Sequence, residues 1–193
     1  MEINYAHIQN QLQETLTQKR YTHTLGVAYT SAALAMRYNA ELMDKAFLCG
    51  ILHDCAKALS LDEQVKDCQR YEIQLTDSEL ENPQLIHAKL GAYFAEHKYQ
   101  VKDAEILEAI RWHTTGRPNM SELEKILYVA DCIEPHRNKG DYLKICRELA
   151  FTDFDECLFQ LLERGLAYLK TCYEKVDSAT EETYQYYKKI RKQ

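Results

Sequence analysis

The feature that most restricts the fold of this 193-residue chain is its shortage of residues that interrupt helices. The chain contains 6 glycines and 3 prolines, and the alternation of polar and β-branched residues that marks strands is missing. Residues 18–38, for example, run as one uninterrupted segment. We therefore predict an all-α fold in which residues 1–193 form a single compact helical bundle, without a linker or an internal repeat.

Charge and composition exclude several classes of partner. The formal net charge of −6 argues against a nucleic acid polymer as a partner. The longest strictly apolar stretch, residues 46–52, is too short to span a membrane, and the N-terminus has no signal-peptide core. Seven cysteines without a CxxC spacing indicate reduced thiols and a cytoplasmic location.

Local signals predict where several helices begin and end. The most apolar helix is expected at residues 44–58, through the sequence GILHDCAKAL. Ser121 and Glu124 form a capping box that opens another helix. Thr152 is expected to cap the following long helix, and a last charged helix begins at about residue 178.

Six ionisable side chains fall on apolar helix faces, where they point inward. They are His23, His53, Asp54, His87, His113 and Asp131. One such histidine is usually a core residue, but an unpaired buried carboxylate costs several kcal/mol. No matching set of buried arginines is evident, so the group indicates a metal. Imidazole and oxygen ligands without thiolates suit Fe, Mn, Co or Ni and disfavour a structural zinc site. The remaining histidines, His7, His97 and His136, are expected at the surface.

The order of these residues resembles the HD-domain phosphohydrolase superfamily, in which a lone His precedes an adjacent His-Asp pair and a distant Asp. The segments that narrow the resemblance are HDCAK at 53–57, HAKLGA at 87–92, WHTTG at 112–116 and ADCIEPHR at 130–137. Together they look like the bacterial HD-domain symmetrical dinucleoside tetraphosphatases, the YqeK family. The resemblance is close over about residues 18–140 and loose over the C-terminal third.

This resemblance implies an all-helical HD domain that uses iron to hydrolyse diadenosine tetraphosphate to two ADP. Mn²⁺, Co²⁺ or Ni²⁺ would be substitutes. The implied metal ligands are His23, His53, Asp54 and Asp131. The metal would lower the pKa of a bound water, and the resulting hydroxide would attack phosphorus. His87 and His113 either hold a second metal, with a bridging aspartate, or contact the phosphates; the sequence leaves both alternatives open.

Other residues are candidates for binding the substrate. Lys57, one helical turn from His53, and Arg137, near Asp131, would contact phosphate oxygens and assist catalysis together with Asp54. Arg20 is a third phosphate ligand or, alternatively, part of a surface ion pair. The complete set of expected substrate-binding residues is Arg20, Lys57, His87, His113, Thr114, Asp131, Arg137, Ser178 and Thr180.

The C-terminal helices, residues 141–193, are expected to complete the bundle and to close over the nucleoside of the substrate. Symmetrical cleavage would leave ADP, or GDP, as a tightly held product. Exposed Tyr and Leu in these helices are compatible with a homodimer.

Rival interpretations differ in class. Another HD phosphohydrolase, acting on deoxynucleoside monophosphates or guanosine tetraphosphate, would use the same metal ligands, but the EPHR and HTTG segments favour the tetraphosphatase. A non-catalytic nucleotide sensor would be expected to lose a ligand or Lys57, and this chain keeps them all. A purely structural protein leaves the inward aspartates unexplained.

Overall fold

A computed structural model describes residues 4–138, 140–173 and 175–191, which form helices joined by short turns. Among these residues there is no strand, and no helix is both long and apolar enough to cross a membrane. The predicted all-α fold is therefore confirmed. The α-helices are α1 (Tyr5–Thr15), α2 (Gln18–Tyr38), α3 (Met43–Leu52), α4 (Leu61–Arg70), α5 (Asp77–Glu81), α6 (Ile86–His97), α7 (Ala104–Trp112), α8 (Glu122–Ile133), α9 (Tyr142–Thr152), α10 (Phe154–Cys172) and α11 (Ser178–Ile190).

Helices α2 and α3 form the most extensive helix–helix contact among the described residues. The side chain of Thr17 caps α2 by accepting a hydrogen bond from the backbone amide of Arg20. The two helices approach so closely that a Cβ at Gly50 would lie 2.4 Å from the Cα of Ala28. Glycine is therefore required at this crossing, and it brings the C-terminal end of α3 against α2.

The most apolar helix ends earlier than the sequence predicts. It covers Met43–Leu52 rather than residues 44–58, since His53 is its C-terminal cap and Asp54 leaves the helical conformation with φ −107° and ψ 15°. Residues 55–58 then form one turn of 3₁₀-helix. This break lets the side chains of His53 and Asp54 turn toward the same centre, whereas on a continuous helix they would point in different directions.

Helix α8 begins at the predicted capping box, in which Ser121 and Glu124 exchange side-chain and backbone hydrogen bonds. It ends at Ile133, two residues before Pro135. The predicted cap at Thr152 is wrong, because this residue is the last of α9, and Asp153 caps α10 instead.

One large apolar core extends from Ile8 in α1 to Tyr187 in α11, and a smaller one lies beneath α4 around Cys68 and Leu90. Helix α11 packs on the loop that follows α7: the backbone amide of Met120 donates to the Tyr187 hydroxyl at 3.0 Å. The C-terminal helices thus support the segment that leaves the end of α7.

Candidate metal and active site

The six inward residues predicted from the sequence converge on one point inside the bundle. They come from five helices, His23 from α2, His53 and Asp54 from the end of α3, His87 from α6, His113 from the end of α7 and Asp131 from the last turn of α8. All are buried except Asp131, whose side chain is partly exposed. The carboxylate of Asp54 lies within 4 Å of the rings of all four histidines.

The two oxygens of Asp54 face different sets of histidines. Its Oδ2 lies 3.3 Å from His53 Nε2 and 3.7 Å from His23 Nε2, and the latter nitrogen is 3.1 Å from Oδ1 of Asp131. Its Oδ1 lies 3.2 Å from His87 Nε2 and 3.9 Å from His113 Nε2. Asp54 therefore joins two ligand groups, one on each carboxylate oxygen.

The tautomers of three histidines are set by backbone carbonyl groups at helix ends. The Nδ1 atoms of His53, His87 and His113 lie 2.6–2.7 Å from a carbonyl oxygen three residues earlier in the chain. A carbonyl oxygen can only accept a hydrogen bond, so Nδ1 carries the hydrogen in each ring. In the neutral histidines, the Nε2 lone pairs then point toward the centre.

The centre consequently contains hydrogen-bond acceptors that face one another. Nε2 of His87 and Nε2 of His113 are 3.1 Å apart, and Nε2 of His23 and of His53 has no hydrogen-bond partner among the described residues. Acceptors brought this close need protons or a cation between them. The donor set of imidazole nitrogens and carboxylate oxygens fits a divalent metal.

Two groups of three ligand atoms each lie close enough together to hold an ion. One consists of His23, His53 and Asp131, and the other of His53, Asp54 and His113, with ligand atoms within 4.8 Å of one another. Together the two groups contain all four residues of the predicted first metal site. They also contain His113, one of the two histidines of the predicted second site.

Three cationic side chains surround this centre from the solvent side. Arg20 Nη1 is 2.6 Å from Asp54 Oδ2, and Lys57 Nζ is 3.6 Å from the other oxygen of the same carboxylate. Arg137 Nη2 is 2.7 Å from Asp131 Oδ1. Their side chains are 34%, 25% and 45% exposed, respectively, so each can reach a ligand that enters from solvent.

The electrostatic field of the site keeps both aspartates ionised. Burial opposes their ionisation, but the charge of His53 in its protonated form outweighs this at Asp54, and His23, His53 and Arg137 outweigh it at Asp131. The pKa of both carboxyls is therefore held well below the usual range. Burial likewise opposes a charged His53, yet the two carboxylates raise its pKa. Burial and then repulsion from neighbouring histidines lower the pKa of His113 to about 3. Burial also lowers the pKa of His87, which keeps these two rings neutral, as ligands must be.

The remaining predicted residues lie just after α7 and in the first turn of α11. Thr114 is half-buried directly after His113. Ser178 is the exposed first residue of α11, and Thr180, two residues later in the same helix, is buried. Within the described part of the chain, neither of these two hydroxyl groups hydrogen-bonds to the nine ionisable residues of the site. Their role in substrate binding stays a prediction.

Glu134 also belongs to the site, although the sequence did not predict it. Its carboxylate is buried, and its Oε1 lies 3.1 Å from His23 Nδ1. The signal available was its position three residues after Asp131, one helical turn along, inside the EPHR segment. The neighbouring His136, predicted at the surface, is largely exposed but contacts the second oxygen of Glu134.

Comparisons with known proteins agree with this geometry. A family model for the HD domain matches residues 20–135. The symmetrical bis(5'-nucleosyl)-tetraphosphatase of Bacillus subtilis (strain 168) is 38% identical over 177 residues, which cover 91% of this chain and 92% of that protein. The protein of the same name from Halalkalibacterium halodurans is 40% identical over 154 residues, covering 80% of this chain and 81% of that one.

A solved structure has the same fold. The crystal structure of a predicted HD superfamily hydrolase involved in NAD metabolism from Clostridium acetobutylicum matches with a TM-score of 0.91 and 34% identity, covering 98% of each chain. The family match includes the lone His, the His-Asp pair and the distant Asp. The chain therefore belongs to the HD domain family, and within it to the relatives of the symmetrical bis(5'-nucleosyl)-tetraphosphatases.

Proposed function

We propose that this protein is a metal-dependent phosphohydrolase that cleaves diadenosine tetraphosphate symmetrically to two ADP. The observation that carries the proposal is a buried centre made of acceptors, with three cations on its solvent side. The names of relatives that match most of the chain support the choice of substrate. A metal centre bordered by cations suits a polyanionic substrate better than a neutral one.

The residues that would hold the metal are His23, His53, Asp54 and Asp131. The separate orientation of the two Asp54 oxygens supports a second position, shared with His87 and His113. When bound, a divalent metal supplies a water of lowered pKa and neutralises charge on the phosphate. Iron is our proposed metal, with Mn²⁺, Co²⁺ or Ni²⁺ as substitutes, because all donors are imidazole or carboxylate groups.

The cations have a second partner available when substrate binds. In the described structure Arg20, Lys57 and Arg137 neutralise Asp54 and Asp131. If these two carboxylates serve as metal ligands, the three cationic groups can turn to phosphate oxygens. They would then stabilise the charge that develops during phosphoryl transfer, which provides most of the catalysis in this type of reaction.

Symmetrical cleavage requires that the bond between the second and third phosphates be the one that breaks. The site must then bind a nucleoside diphosphate as a unit, with its outer phosphate at the metal. We propose that Thr114 contacts the phosphates and that α11, through Ser178 and Thr180, borders the nucleoside. ADP, or GDP, would accordingly be a retained product.

A panel of substrates tests this function. Chelator-treated protein, reloaded with Fe²⁺, Mn²⁺, Co²⁺ or Ni²⁺, is incubated with diadenosine tetraphosphate, a deoxynucleoside monophosphate or guanosine tetraphosphate. We expect metal-dependent turnover of diadenosine tetraphosphate at a kcat/KM well above that of the others. A preference for one of the others would move this protein to a different HD phosphohydrolase activity. Nucleotide binding without turnover in every metal would indicate a sensor.

A further inference from the structure

Among the described residues, Glu134 is a buried carboxylate beside the candidate metal centre that the proposed mechanism does not use. It follows the last residue of α8, and its side chain is 1% exposed. One oxygen, Oε1, is 3.1 Å from His23 Nδ1. The other, Oε2, accepts a hydrogen bond of 2.7 Å from the backbone amide of His136 and lies 3.1 Å from Nδ1 of the same residue. Contacts at both oxygens hold the carboxylate in one orientation.

His23 needs a side chain as its partner because of its place in the fold. The other three histidines of the centre lie at helix ends and donate to free carbonyl groups of their own segments. His23 lies inside α2 (Gln18–Tyr38), where the helix uses its own carbonyl groups for backbone hydrogen bonds. The acceptor for its Nδ1–H must therefore come from another element, and Glu134 supplies it.

Gly26 provides the space for this contact. A Cβ at Gly26 would lie 2.3 Å from Oε2 of Glu134 and 3.3 Å from Nδ1 of His136. Glycine is less favourable than alanine in the interior of a helix. Helix α2 therefore has a residue of low helix propensity at the position that the Glu134 carboxylate approaches. The contact between Glu134 and His23 thus accounts for the glycine three residues after the histidine.

The turn that carries Glu134 is itself fixed by the C-terminal third of the chain. Arg147 in α9 donates hydrogen bonds to the carbonyl groups of Ile133 and Glu134 at 2.8 Å and of Arg137 at 2.6 Å. These bonds hold residues 133–137 against α9. The position of the carboxylate does not depend on His23 alone.

We propose that Glu134 is a positioning residue for the metal centre. Since an ionised carboxylate only accepts hydrogen bonds, it keeps the hydrogen of His23 on Nδ1 and the lone pair of Nε2 directed at the centre. Its charge also makes the imidazole a stronger donor to a metal, as carboxylate–histidine pairs do in other metal sites. This inference rests on the proposed metal site, but it does not depend on the identity of the substrate.

The variants Glu134→Ala and Glu134→Gln test the inference without any substrate. Two properties of chelator-treated protein are measured: the Kd for Mn²⁺ and the ¹⁵N chemical shifts of the His23 ring, which report the tautomer. We expect Glu134→Ala to weaken Mn²⁺ binding about 10- to 100-fold and to give a mixture of tautomers. Glutamine keeps an acceptor oxygen, so Glu134→Gln should retain the tautomer and recover only part of the affinity, since the charge is missing.

Two further variants separate positioning from packing. Glu124 is also buried and belongs to the opposite end of α8, so Glu124→Gln should leave the Kd for Mn²⁺ unchanged. Gly26→Ala should weaken Mn²⁺ binding in the wild-type background by displacing Glu134, and should add little in the Glu134→Ala background. A folded Glu134→Ala protein with wild-type affinity and an unchanged His23 tautomer would overturn the inference. Failure to hydrolyse diadenosine tetraphosphate, with these effects on Mn²⁺ present, would count against the proposed substrate alone.

Discussion

At the scale of single residues, Asp54 is the side chain that connects the whole site. Its two oxygens contact two pairs of histidines, and both Arg20 and Lys57 approach it from the solvent side. Its pKa is held well below the usual range although it is buried. An ionised, buried carboxylate surrounded by acceptors is stable only while cations or protons compensate it.

Asp54→Asn removes this charge with little change of shape. We expect the variant to lose metal affinity by more than about 10²-fold, beyond the usual effect of an outer-shell partner, and to lose turnover in parallel. Metal content after dialysis and kcat/KM check the prediction. Asp62→Asn, at an exposed position of α4, is the matched control and should behave as wild type. Retention of metal by Asp54→Asn would contradict the assignment.

Lys57→Ala separates charge stabilisation from metal binding. The ammonium group is a neighbour of Asp54 but not a metal donor, so metal content should stay unchanged. We expect kcat/KM to fall by roughly 10²-fold, the scale of losing one charged group that acts in the transition state. Lys66→Ala, on the exposed face of α4, is the control. Unchanged turnover in Lys57→Ala would exclude this lysine from the mechanism.

Most of the central residues could be predicted from the sequence because they lie on apolar stripes with helical spacing. His23 and Asp131 are examples, and both lie where this pattern places them. Glu134 could not be found in this way, since it lies just beyond a helix end and its partner His23 is 111 residues away. Such a pair depends on tertiary packing, which single-sequence periodicity does not contain.

At the scale of helices, the sequence predicts which helices form better than it predicts the residues at which they begin and end. Neither proline nor glycine follows Leu52 in the segment up to Cys55, so nothing in the sequence marks the end of the helix there. This break in the helix is what directs the side chains of the His-Asp pair to the same centre. Thr152 and Asp153 are adjacent, and both are favourable N-caps. The structure uses the second, because the first still belongs to α9.

The crossing of α2 and α3 makes a prediction about stability. In Gly50→Ala the new Cβ would meet the backbone of Ala28 at 2.4 Å, so the two helices must separate. We expect a destabilisation of at least about 1–3 kcal/mol, the range of overpacked cores. Gly165→Ala is the control, since its Cβ would be 3.8 Å from the Tyr128 hydroxyl, and it should be neutral or stabilising by up to about 1 kcal/mol. Equal denaturation midpoints for both variants would contradict this packing.

At the scale of the whole molecule, the fold brings five distant segments to one charged centre. Family membership, inferred from the spacing of His23, the His53-Asp54 pair and Asp131, is confirmed by the family model and by relatives that match most of the chain. The assignment of residues 1–193 to one domain, the cytoplasmic location, the homodimer and iron as the metal stay predictions. These properties depend on partners and conditions that helical periodicity does not encode.

The buried histidines should make the stability of the metal-free protein depend on pH. The pKa of His113 is lowered from 6.5 to about 3, so between these values the unfolded chain binds a proton that the folded chain does not. Its contribution to stability is therefore lost as pH falls from about 6.5 to about 3, by up to about 1.4 kcal/mol per pH unit.

The variant His113→Gln isolates this contribution. The packing that the variant loses lowers its unfolding free energy by the same amount at every pH, whereas only the wild type carries the pH-dependent contribution of His113. The difference in unfolding free energy between wild type and variant should therefore shrink as pH is lowered from 6.5 to 4.5. Urea denaturation in the presence of chelator measures it. A difference that stays constant over this range would show that His113 is not held neutral by its surroundings.

The most direct test of the account is the identity of the products formed from diadenosine tetraphosphate by the metal-loaded protein, separated by ion-exchange chromatography. We predict ADP as the sole nucleotide product, and no product in the presence of chelator. Formation of AMP together with ATP would contradict the account, because the bond broken would then lie elsewhere in the phosphate chain and the proposed nucleoside diphosphate site would be wrong.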